Sequence, residues 1–145
     1  MAITTAMCNS FKQELLGGVH DLDTDTLKVA LIKEAPTGTY DANITNYSDL
    51  TGNSDEAVGT NYTAGGQALD NPAISLSSGT AFVDFDDEVF SNLTIAADGA
   101  ILYNASQGNK AIAVFDFGGT VTSTSGDFTI VFPTADASNA VIRIS

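Results

Sequence analysis

From residue 73 to the C-terminus the sequence never sustains a helical period. Short apolar runs alternate instead with clusters of Gly, Asn, Asp and Ser. Ile74 and Leu76 alternate with serines, Ser78-Gly79 turns the chain, and Ala81-Phe82-Val83-Asp84-Phe85 follows. Further strands are expected at Phe90 to Ile95, Ala100 to Tyr103, Ala111 to Phe117, Phe128 to Phe132 and Val141 to Ile144. Turns are expected at Asp98-Gly99, Gln107-Gly108-Asn109, Gly118-Gly119 and Ser125-Gly126-Asp127, where turn-forming side chains cluster. With Leu27 to Lys33 upstream, the count is about eight short strands. No helical segment separates them, which argues against a βαβ fold. The expectation is a mainly β chain: a β-sandwich or jelly-roll-like domain.

Two upstream segments differ from this pattern. In residues 1–18 the apolar positions Ile3, Met7, Cys8, Phe11, Leu15 and Leu16 recur at three- and four-residue spacing. That predicts one amphipathic helix, the only one in the chain, capped by Thr4 or Thr5 and stopped by Gly17-Gly18. A helix so short needs a surface to dock on, in its own domain or on a neighbouring subunit. Residues 34–72 hold scattered glycines, two prolines and many Asn, Asp and Thr, and read as a long loop-rich excursion suited to binding or docking. Ala111 to Phe117 is apolar on both faces apart from Asp116, which predicts a central strand covered on both sides.

At 145 residues the chain is expected to form a single domain spanning 1–145. Eighteen acids face five basic residues, for a net charge of −13. No two of the basic residues are close in sequence, so there is no basic stripe to displace counterions from nucleic acid, and anionic lipid would repel the chain. The acids themselves read as a solvated, self-repelling surface. No stretch reaches membrane-span length, and the opening residues lack the basic and apolar regions of a secretory signal. Without a secretory route, the Asn-X-Ser/Thr triplets at Asn43, Asn46, Asn61, Asn92 and Asn104 read as chance. One cysteine excludes an internal disulfide and any multi-cysteine zinc site.

The residues for catalysis are sparse. Cys8 reads as a small core residue and His20, the sole histidine, as a surface one. There is no Gly-X-Ser-X-Gly elbow and no phosphate loop, so no enzymatic activity and no cofactor are expected. Along an extended strand Asp84, Asp86 and Glu88 share one face, a spacing that offers hard oxygen ligands to calcium; an exposed strand end is the competing reading. Tyr40, Tyr47 and Tyr62, with Asn43, Asn46 and Asn61, have the chemistry of a carbohydrate site. The same tyrosines also suit pinning the loop to the sheet or to a neighbouring subunit.

Several segments carry a resemblance. They are Met1 to Leu16, Tyr62-Thr63-Ala64-Gly65-Gly66, Ala81 to Asp87, Ala100 to Asn104, Phe115 to Gly119, Gly126 to Thr129 and Asn139 to Ile144. In that order, across nearly the full chain, they resemble small virion structural proteins of tailed bacteriophages, cyanophages among them. The motifs are structural and bring no catalytic residues. The resemblance implies a virion component. A small acidic β-rich domain without fibre-like repeats fits a capsid decoration or cement protein that bridges capsomers. Its partner would be the major capsid protein and its place the outer capsid surface, after assembly in the host cytoplasm. A homo-oligomer is expected, a trimer by preference, docking through Phe11, Leu15 and Leu16 of the helix and Tyr40, Tyr47 and Tyr62 of the loop. The alternative is a tail or baseplate component that binds a receptor or glycan.

Overall fold

The computed structural model describes residues 2–145, and its largest sheet is built on two strands far longer than the sequence spacing suggests. In chain order the strands are β1 (Ala2–Ile3), β2 (Ala6–Met7), β3 (Leu27–Lys33), β4 (Thr39–Tyr40), β5 (Gln67–Ala68), β6 (Ala73–Ser77), β7 (Thr80–Asp84), β8 (Glu88–Asn104), β9 (Lys110–Ile130) and β10 (Ile142–Ile144). Helix α1 (Asn9–Leu16) follows β2, and the short α2 (Ser48–Gly52) lies in the loop-rich segment. The chain is mainly β. A five-stranded antiparallel sheet runs β2-β9-β8-β3-β5, a three-stranded antiparallel sheet runs β10-β7-β6, and β1 pairs β4 in parallel.

Strand β8 joins two of the expected short strands, and β9 joins a further two. Three expected turns are therefore bulges inside continuous strands. Ala97 pairs with Val121 and Gly99 with Asp116, so residues 117–120 loop out of β9 opposite Asp98 alone. Gly118 and Gly119, at φ 77° and 151°, supply backbone angles that L side chains resist. The Asp98 carboxylate ties the bulge down, accepting from Thr120 Oγ1 at 2.6 Å and from the Ala35 N–H at 2.9 Å. Gly99 is selected by space: a Cβ there would stand 2.4 Å from the Phe115 carbonyl oxygen. A second bulge, at Ser125 (φ 48°), and a third, at Asn92 (φ 51°), bend the same ribbon further. The turns at Gly108-Asn109 and Ser78-Gly79 form as expected, each with positive φ at both residues.

The N-terminal expectation is corrected. Residues 2–7 are not helical, because their backbone groups find sheet partners: β1 beside Thr39–Tyr40, and β2 beside Ala113 and Val114. Helix α1 starts after Cys8, which is extended and makes no side-chain cap bond. Nor is it the only helix, since α2 buries Leu50 and is anchored by Asp49, whose carboxylate accepts from the Thr45 N–H at 2.9 Å.

Helix α1 lies on β9 and drives Phe11 fully into the core. Burying a phenylalanine contributes about 1.5–3 kcal/mol, so this one contact anchors the helix within its own chain. Ala111 to Val114 of β9 are buried on both faces, as are Val29 to Ile32 of β3. The core joins these residues to Leu93, Ile101 and Leu102 of β8 and to Val83 and Ile142 of the three-stranded sheet.

Candidate interaction surfaces

The loop-rich segment is organised by two adjacent carboxylates. Asp55 is completely buried. It accepts from the N–H groups of Thr37 (3.0 Å) and Gly38 (2.8 Å) and from the Tyr40 hydroxyl (2.7 Å), with Lys33 Nζ at 2.9 Å. Burial opposes its ionisation, yet these donors together hold the carboxyl well below the usual range. Glu56 points the other way and accepts from the hydroxyls of Tyr47 and Tyr62 and from the Gly65 N–H at 2.7 Å. Tyr62 in turn accepts from the Leu31 N–H at 2.9 Å, and Tyr47 stacks on Tyr103 with ring centroids 4.7 Å apart. Burial and the nearby carboxylates raise all three loop tyrosines above the ordinary phenol range.

These bonds correct the docking assignment. Tyr40 and Phe11 have no exposed surface to offer a partner, while Tyr47 and Tyr62 are half-buried with their hydroxyls facing inward. Tyr62 ties the loop to β3 and Tyr47 stacks against β8, while Tyr40 is held by Asp55 and, fully buried, offers no face for a sugar to stack on. Leu15 is half-buried, and Leu16 is 92% exposed.

Asp84, Asp86 and Glu88 do not converge. Asp84 ends β7, Asp86 is exposed and accepts from Asn71 Nδ2 at 2.6 Å, and Glu88 is buried at the start of β8. Glu88 accepts from Gln67 Nε2 at 2.8 Å, and burial, aided by the charge of Asp70, pushes its pKa up to about 7. Among the described residues no group of three metal-ligating side chains is assembled.

His20 is buried, against the expectation of a surface histidine. Asn104 accepts the Ser106 N–H through Oδ1, which fixes its amide so that Nδ2 donates to His20 Nδ1 at 3.0 Å and to Asp25 at 2.7 Å. His20 Nε2 then carries the proton and faces Glu14 Oε1 at 3.5 Å, while Lys110 holds the other Glu14 oxygen at 3.2 Å. Cys8 is fully buried, and desolvation pushes its thiol up to about 12. A thiol so protonated is a poor nucleophile.

Among the described residues, apolar side chains line two open surfaces. A cleft of about 650 Å³ beside the bent half of β9 is lined by Phe115, Phe117, Phe128 and Phe132, with Arg143 at its side. The other lies on the three-stranded sheet. Its pairing sets Ile74, Val83 and Ile142 in one row and Leu76, Ala81 and Ile144 in the next, all on one face. All of these but Leu76 border a groove of about 400 Å³ shared with Leu15 and Leu22, and Val83 and Ile142 are buried in the core. Ile74, Leu76 and Ile144 stand out in solvent, 56%, 76% and 52% exposed. All five residues of β6 are exposed, although a chain with so many acids had ample polar surface to place there.

No family model, curated protein or solved structure matches the chain. Among the described residues no helix is long and apolar enough to cross a membrane.

Proposed function

We propose that this chain is a phage virion structural protein of the decoration type, a non-enzymatic domain that adds to an assembled head and bridges capsomers. The observation that carries the reading is the group of exposed apolar side chains on one face of the three-stranded sheet. Ile74, Leu76 and Ile144 are exposed on a chain of net charge −13, where burial against a partner is the natural use for them. The segments that resemble phage virion proteins support the reading. So does the inward commitment of the chain's chemistry, with Cys8 protonated and His20 and Asp55 locked in structural bonds. The five- and three-stranded sheets are read as a sandwich-like pair, because Val83 and Ile142 share a buried cluster with Ile95 and Leu102. The partner is the major capsid protein on the outer face of the head, and the acidic remainder of the surface faces solvent.

Docking moves from Phe11 and the loop tyrosines to the sheet face, with Leu15 of the helix at the groove beside it. Co-sedimentation of the purified protein with undecorated heads tests the assignment. Binding should saturate at a fixed stoichiometry, and Leu76→Asp with Ile144→Asp should abolish it without changing the melting temperature. Glycan or host-cell binding with no uptake by heads would favour a tail or baseplate role instead.

A further inference from the structure

Among the described residues, β6 pairs with β7 on one side and with no strand on the other. We propose that a second copy of the chain completes this edge, β6 against β6 across a two-fold axis, with Ser75 facing the partner's Ser75. Backbone direction supplies the first argument. Ser78 and Gly79 form a two-residue turn with φ 51° and 79°, and the flanking pair Ser77–Thr80 exchanges backbone bonds in such hairpins. Ser75 and Ala73 follow the same phase and point their groups at β7. Ile74 and Leu76 therefore direct N–H and C=O outward. An antiparallel copy centred on Ser75 sets Ile74 opposite the partner's Leu76 and Leu76 opposite the partner's Ile74. Outward-facing groups meet at both pairs.

Side chains and charge agree with that register. The row Ile142–Val83–Ile74 runs on into the partner's Leu76–Ala81–Ile144, and the second row does the converse, so the exposed Ile74, Leu76 and Ile144 of the two copies fall on one continuous face. Two copies of a −13 chain repel, and they can meet closely where neither carries charge. Ala73-Ile74-Ser75-Leu76-Ser77 is uncharged throughout. It lacks the lysine, the internal proline and the bulge that protect edge strands from pairing. An edge shaped for a basic partner would hold some of the eighteen acids, and this one holds none. Such a self-complementary contact closes at two copies, so a dimer replaces the trimer expected from the sequence.

Sedimentation equilibrium of the full chain, combined with cysteine cross-linking, tests the register. The wild-type chain should sediment as a dimer. Ser75→Cys should form a disulfide-linked dimer on mild oxidation, since non-hydrogen-bonded antiparallel partners lie about 4.5 Å apart at Cα, within disulfide reach. Ser77→Cys should not, because its copies would be offset by roughly 13 Å along the strands. Native Cys8 is fully buried and does not compete. Leu76→Pro removes an outward N–H while sparing the β7 ladder, and should weaken dimerisation at least about tenfold with unchanged circular dichroism. If that variant fails to fold, the two cysteine variants decide alone. A wild-type chain that stays monomeric at every concentration overturns the proposal, whether or not some other strand binds the edge. Equal cross-linking at residues 75 and 77 also overturns it.

Discussion

Asp55 receives two backbone N–H groups, a tyrosine hydroxyl and Lys33, whereas Glu88 receives the Gln67 amide and stands near the charge of Asp70. The folded state therefore favours the ionised form of one buried carboxyl and the neutral form of the other. Asp55 has a depressed pKa, so its contribution is present above its ordinary value of 3.8 and is lost as pH falls below it. Asp55→Ala leaves several buried donors without an acceptor and should cost about 3 kcal/mol in urea denaturation at pH 7. Glu88 has a raised pKa, so its protonated form stabilises the fold fully below 4.5, and that stability is lost as pH rises toward about 7. Glu88→Gln keeps an acceptor for Gln67 and removes the charge. It should raise stability at pH 8 by up to about 2 kcal/mol and change little at pH 4, a difference that paired melting curves would register.

At the scale of elements, the bent β8–β9 ribbon is the distinctive construction. Its glycines act by different means, and substitutions should separate them. Gly99→Ala drives a methyl group into the Phe115 carbonyl, where backbone cannot yield easily, and should cost about 2 kcal/mol. At Gly118 no atom lies within 4 Å of a built Cβ, so Gly118→Ala meets only the strain of φ 77° and should cost about 1 kcal/mol. Thermal melts of the two variants check the order. The same ribbon shows why strand existence was legible in the sequence and strand length was not. Gly118-Gly119 and Ser125-Gly126-Asp127 have the chemistry of turns, and bulges draw on the same positive-φ residues. What distinguishes them is whether the partner strand continues, which is a non-local fact. The Ser78-Gly79 hairpin was legible because its alternating flanks are local. The 2–7 segment carries helical spacing yet pairs as strand, because its sheet partners lie at residues 39–40 and 113–114, far along the chain.

For the molecule as a whole, composition and strand rhythm identified a mainly β chain, and the buried side of the candidate surface was hidden from them. Asp55 and Glu56 sit in a Gly- and Asn-rich loop whose acids look solvated, and no local pattern distinguishes them from Asp21 or Asp23. The tyrosines beside them look like a binding platform until their hydroxyls are seen to close on those carboxylates. The exposed face had a signal, the uncharged alternation of Ala73 to Ser77, which is also what a covered strand looks like. Exposure of Ile74, Leu76 and Ile144 on a highly acidic chain is the observation behind proposing that strand as a docking surface. The copy number of this chain per purified virion, measured by quantitative mass spectrometry against the major capsid protein, tests the decoration assignment most directly. The assignment predicts hundreds of copies in a fixed ratio to the capsid protein. A count as low as that of a tail or baseplate component, or none in the particle, would contradict it.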